Sequence, residues 1–201
     1  MIRRTMLLSA ALVWLCAANA QADDCTACQK MAQTGMGFCE QCGHGKAFGV
    51  DVSSKKLYDA LAGEEVKNID EVKCEGCKTA LRSNGKCTHC KVGAARHQLY
   101  KSSVAHAIAI GRYTPAEKAP KCPTTTEAHK DGWCESCGMG VVNGQYYKNK
   151  DMFTAASKAH ETLVRAVKAA EKCEDCAVAM VLDAKCEKCK ITFKNGEKQS
   201  G

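Results

Sequence analysis

Aromatic side chains are scarce in this chain, at 5% of 201 residues, and prolines number only three. Cysteine takes 16 places within a hydrophobic set of 45%, so the apolar content left for one large core is thin. Chains short of burial need covalent or metal staples. No Ser/His/Asp grouping, spaced carboxylate pair or phosphate-cradling loop stands out, and no enzyme activity is expected. No Cys-x-x-Cys is followed by histidine, which leaves out covalent haem attachment. Beyond the first 20 residues no apolar run approaches the length that spans a bilayer.

The start of the chain reads as a leader. Arg3 and Arg4 precede a mostly apolar run from Met6 to Ala18, and Ala18-Asn19-Ala20 has the small-x-small cleavage pattern. Residues 1–20 are expected to be a signal peptide that carries Cys16 away on cleavage. "RRTMLL" fits a plain secretory signal and also a twin-arginine one. The protein is then exported, to a periplasm or the extracellular medium, with no membrane span after cleavage.

A formal charge of +7 invites nucleic acid as a partner. Without Arg3 and Arg4 it falls to +5, because 27 basic then face 22 acidic residues. Metal–thiolate centres would lower it further, and the aromatics that stack bases are few, so no nucleic acid is expected.

The chain repeats itself. "FCEQCGHG" (38–45) matches "WCESCGMG" (133–140), "KCEGC" (73–77) matches "KCEDC" (172–176), and "KCTHCK" (86–91) matches "KCEKCK" (185–190). This gives repeat one at 21–113 and repeat two at 114–201, with "TPAEKAPK" (114–121) as linker. The expected fold class is small α+β: two tandem repeats, each with two zinc-ribbon-like knuckle pairs, short β-hairpins and one helix. Asn143-Gly144 marks a hairpin turn. Asp151 is read as the cap of a helix presenting Ala155, Ala159, Leu163, Val167 and Ala170. Residues 53–62 form a shorter helix ending at Gly63, and 95–113 have no counterpart in repeat two.

The cysteines carry the chemistry. They fall into Cys25/Cys28 with Cys39/Cys42, Cys74/Cys77 with Cys87/Cys90, and Cys173/Cys176 with Cys186/Cys189. Two Cys-x-x-Cys turns joined by strand-turn-strand would set four sulfurs at the corners of a tetrahedron, as structural zinc requires. Cys134/Cys137 lacks a second pair, and Cys122 with His129 completes a set of three cysteines and one histidine. Repeat one then has two tetracysteine sites, and repeat two has this mixed site and one tetracysteine site. Zinc is the expected ion, and iron would accept the same sulfurs. Bridges between pairs remain an alternative in an exported protein. A thiol–disulfide redox protein is another, although five of the seven pairs read Cys-Glu-x-Cys, and a carboxylate disfavours a free thiolate.

"CEQCG" and "CESCG" resemble zinc-ribbon or rubredoxin-type knuckles, where glycine after the second cysteine permits the turn. Residues 121–140 also resemble the short heavy-metal-binding domain, whose pattern runs Cys-Pro, His, then Gly-x-Cys-x-x-Cys-Gly-Met. Cys122-Pro123, His129, Gly132, Cys134, Cys137, Gly138 and Met139 match in order, with "TTTEA" inserted before the histidine. The resemblance implies metal binding without naming a metal pathway. The sequence therefore reads as an exported metal-binding protein whose ions mainly hold the fold, with metal buffering or sensing as a further use. The alternative is an extracytoplasmic adaptor that binds a protein partner on a zinc-ribbon scaffold.

Overall fold

Four stretches of chain fold as the same three-stranded antiparallel meander in the computed structural model, which describes residues 25–113 and 131–199. The first comprises β1 (Gly37–Cys39), β2 (His44–Ala47) and β3 (Val50–Val52); the second β5 (Lys86–Cys87), β6 (Val92–Ala95) and β7 (Gln98–Tyr100). The third comprises β9 (Gly132–Cys134), β10 (Met139–Val142) and β11 (Gln145–Tyr147); the fourth β12 (Lys185–Cys186), β13 (Ile191–Lys194) and β14 (Glu197–Lys198). Helices α1 (Thr26–Thr34), α3 (Glu75–Ser83) and α6 (Glu174–Val181) precede the first, second and fourth meanders. Helices α2 (Lys55–Leu61), α4 (Ser103–Ala109) and α5 (Lys150–Ala170) follow the first three. The molecule is thus a small α+β protein of short helices and small antiparallel sheets.

The recurrence is finer than two repeats. Residues 95–113, expected to lack a counterpart, hold the end of β6, β7 and α4, which repeat β3–α2 before them and β11–α5 after. Two further strands stitch neighbouring units together. β4 (Glu64–Glu65) follows α2 and pairs with β7, and β8 (Arg112–Tyr113) follows α4 and pairs with β11. The expected linker at 114–121 and the leader at 1–20 lie outside the described residues.

In every meander the last two strands are joined by two residues with positive φ: Phe48-Gly49, Arg96-His97, Asn143-Gly144 and Asn195-Gly196. Two left-handed residues give the turn a twist that matches that of the strands. Asn-Gly takes this conformation readily, whereas Arg96 and His97 adopt it against their Cβ atoms. Helix starts are capped by Ser54, Ser102 and Asn149, whose side chains accept from backbone N–H groups of the first turn. Asp151, the expected cap, lies inside the first turn and donates its own N–H to Asn149 Oδ1 at 2.8 Å. The buried side of α5 carries Ala156, Ala159, Thr162, Leu163 and Ala166. Of the expected stripe, Ala159 and Leu163 are buried and Val167 and Ala170 pack half-buried against the same core, whereas Ala155 is exposed.

The central core gathers α2, α4, α5 and α6 through Leu57, Leu61, Ile108, Leu163, Ala177 and Val181. The Ser102 hydroxyl ties α4 to α6 by donating to the Val181 carbonyl at 2.7 Å. Tyr147 donates to the Ile108 carbonyl at 2.9 Å and joins the third meander to α4. Among the described residues no helix is long and apolar enough to cross a membrane. Leu163 is fully buried in this core, so Leu163→Ala should cost about 2–5 kcal/mol in chemical denaturation. Met152→Ala, at a 46% exposed position, should stay within about 0.5 kcal/mol.

Candidate metal centres

The first Cys-x-x-Cys of each complete set does not sit in a turn, as the strand-turn-strand reading had it. It opens a helix. Cys25, Cys74 and Cys173 occupy the N-cap positions of α1, α3 and α6 in extended conformation, and Cys28, Cys77 and Cys176 follow within the first turn. The second Cys-x-x-Cys closes the hairpin between the first two strands of the meander, with Cys39, Cys87 and Cys186 ending β1, β5 and β12. The Cys90 and Cys189 N–H groups donate to Cys87 Sγ and Cys186 Sγ at 3.4 Å, the N–H···S contact of a zinc knuckle. The residue after the last cysteine has positive φ in each hairpin: Gly43, Lys91, Gly138 and Lys190. The glycines noted in the sequence meet that demand without strain, and the two lysines show that the hairpin imposes it regardless.

This folding brings three sets of four sulfurs together. Within Cys25/Cys28/Cys39/Cys42, Cys74/Cys77/Cys87/Cys90 and Cys173/Cys176/Cys186/Cys189, all ligand atoms lie within 4.8 Å of one another. Sulfur separations include 3.5 Å for Cys25–Cys39, 3.6 Å for Cys28–Cys42, 3.8 Å for Cys74–Cys87 and 3.7 Å for Cys173–Cys189. Four thiolates around one ion at about 2.3 Å stand about 3.8 Å apart. A disulfide needs about 2.05 Å. The 12 cysteines of these three sets form no disulfide here. Two sulfurs of the second and third centres are buried and one is exposed, so a bound ion would lie at the edge of the protein.

The hairpin of the third meander is built alike. Cys134 ends β9, Cys137 lies in the turn, and the Cys134 sulfur is 3.0 Å from the Ser136 hydroxyl. Cys122 and His129, expected to complete this set, lie outside the described residues.

Electrostatics single out the first cysteine of each set. The backbone N–H of Cys28, then the thiols of Cys39 and Cys28, lower Cys25 to about 7. The N–H of Cys77 leads the groups that lower Cys74 to about 6, and that of Cys176 those that lower Cys173 to about 7. Cys28, Cys77 and Cys176 are pushed up, first by desolvation and then by neighbouring thiols. Each centre thus offers one thiolate near neutrality to an arriving cation and holds at least one firmly protonated thiol.

Two histidines flank the sulfurs. His89, inside the second hairpin, places Nδ1 3.6 Å from Cys90 Sγ and 3.9 Å from Cys74 Sγ. His44, which the sequence gave no reason to single out, places Nε2 3.8 Å from Cys28 Sγ. His160 is half-buried in α5, and burial lowers its pKa. Compared with protein-family models, curated proteins and solved structures, the chain matches none.

Thiol protons must leave when metal enters. Zinc titration of the apo protein in weak buffer at pH 7 should release at least one proton per ion bound, from Cys28, Cys77 and Cys176. Affinity should fall on acidification, as protons compete for the sulfurs. Proton-free loading would contradict this assignment.

Proposed function

We propose that this is a metal-binding protein whose tetracysteine centres take zinc, hold the small units together and serve as a metal store or sensor. The observation that carries this is the threefold recurrence of four sulfurs at tetrahedral separations, each set shared between a helix start and a hairpin turn. Zinc suits an all-thiolate tetrahedron with no electronic preference of its own, and iron is the alternative ion. The leader-like residues 1–20 support export to a periplasm or the extracellular medium. The heavy-metal-binding resemblance at 121–140 supports a fourth centre, of mixed sulfur and imidazole ligands, from Cys122, His129, Cys134 and Cys137.

An adaptor function on the same scaffold has less behind it. Among the described residues Met152 is the one large hydrophobic side chain that stands exposed, and association surfaces usually centre on buried-on-binding apolar or aromatic anchors. A thiol–disulfide redox role draws on a specific feature, the lowered first thiols at the three helix starts. Redox pairs, however, do not require two further sulfurs within bonding reach of one ion.

Native mass spectrometry with elemental analysis, on protein purified without reductant or added metal, decides among these. Three or four zinc ions per chain, with thiols free after denaturation, are expected. A metal-free chain with its cysteines oxidised would overturn the proposal in favour of disulfides. Insulin reduction by the apo protein would favour the redox reading.

A further inference from the structure

The three centres differ in two independent ways. The first concerns spare ligands. His89 lies over the Cys74–Cys90 edge of the second centre, and His44 beside Cys28 of the first. At the third centre the positions equivalent to His89 and His44 are Lys188 and Ile191, and neither offers an imidazole. The second difference is anchorage. α6, which opens the third centre, is set into the central core by Ala177 and Val181 and packs on α5, α2 and α4. α3 packs mainly on its own hairpin and on the 3-10 turn Ile69–Glu71, in a separate small cluster with Cys77 and Cys87. α1 packs mainly on β1 and β2, with Met31 its buried residue.

Resting on the metal-binding reading above, we infer that the first two centres are exchange sites, in which His44 and His89 act as incoming ligands for a divalent thiophilic cation, while the third is the fixed centre. Local opening costs least where few buried contacts resist it, which describes α1 and α3 but not α6. At the second centre the exposed Cys90 is the sulfur free to move outward. In the exchange the bond from the ion to Cys90 would break, and the released thiolate would take a proton from solvent. The His89 imidazole would offer its Nδ1 lone pair to the same ion, with no change of oxidation state. Three sulfurs and the His89 imidazole would then hold the ion with one less negative charge around it, at the exposed edge of the centre and within reach of a competing ligand. His44 stands ready for the same step at the first centre, with the departing sulfur drawn from Cys28 or the exposed Cys42.

The test uses the full chain loaded with cadmium-113, whose NMR shift separates all-sulfur coordination from three sulfurs with one nitrogen. Cys42→Ser, Cys90→Ser and Cys189→Ser assign the three all-sulfur resonances. A mixed set at Cys134 and Cys137 would show itself by the shift that one nitrogen ligand gives. On challenge with excess EDTA, the resonances of the first two centres should decay first and that of the third last. His89→Leu should slow release from the second centre, and His44→Leu that from the first, each by about ten-fold, the lower end of what groups around a metal contribute. An unchanged number of bound ions shows that the variants are folded, and His44→Gln and His89→Gln should repeat the result without a change in polarity. Faster release in the histidine variants would overturn the inference, because the imidazoles would then be hydrogen-bond donors that hold the sulfurs in place. Equal rates at all three centres would overturn it too. A chain that takes up no cadmium in all-sulfur coordination would remove the metal-binding reading itself, an outcome that the number of ions bound reports before any release is measured.

Discussion

Strands of two to four residues bury too little surface to hold a meander together, and the preceding helices α1, α3 and α6 have only eight or nine residues. Neither part is stable alone: isolated helices of that length are marginal in water, and so is a two-stranded hairpin. A cation held by the clasp of sulfurs between them would supply what burial does not. Two come from the helix start, where backbone N–H groups face the first cysteine and favour its thiolate, and two from the hairpin turn, where N–H groups again face sulfur. A cation at their centre is thereby joined to both elements. Binding energy of this kind is folding energy, because the set exists only when helix and hairpin have docked.

What the clasps do locally, the second helices do globally. α2, α4 and α5 turn their apolar sides toward one another and toward α6, and this shared core is where the units become one molecule. The units vary around a common place. Phe38 stacks near Tyr58, and Trp133 near Phe153, both with ring centroids 5.7 Å apart, between the first strand and the second helix of their units. In the second unit Lys86 and His106 occupy those positions. His106 is buried against Gly93, and its Nε2–H meets the Ala94 carbonyl at 3.2 Å. Burial there disfavours the charged imidazolium, so a neutral histidine does the work of an aromatic ring.

Local chemistry was legible in the sequence, and long-range placement was not. Ligand spacing is a short-range property, so the three tetracysteine sets could be read directly from paired Cys-x-x-Cys motifs. Asn143-Gly144 announced its turn for the same reason. Arg96-His97 did not, since neither residue favours the left-handed conformation and only strand pairing on both sides holds it there. Cysteine is no customary N-cap, which hid the helix starts at Cys25, Cys74 and Cys173 and made both pairs look like turns. The finer recurrence was masked by unequal second helices: seven residues in α2 and α4, but 21 in α5. The hairpin cysteines Cys39, Cys87, Cys134 and Cys186 mark that recurrence once the strands around them are known.

Three of the five glutamates in the Cys-Glu-x-Cys motifs are ion-paired with lysine. A carboxylate next to a thiol ought to suppress its ionisation and so speak against free reactive cysteines. Yet Glu75 is ion-paired with Lys78 at 2.7 Å, Glu187 with Lys190 at 3.1 Å, and Glu135 with Lys150. These exposed pairs contribute little to stability, but they turn the carboxylates toward lysine and blunt their repulsion of sulfur. The backbone N–H of Cys77 then outweighs what remains, and Cys74 is lowered despite its neighbour. Thiolate formation therefore does not separate a metal centre from a redox pair in this fold. Crowding does: a redox pair leaves its nucleophile open to a substrate, whereas each lowered cysteine here has three other sulfurs within 4.8 Å, an arrangement that one tetrahedral cation satisfies and a single disulfide does not.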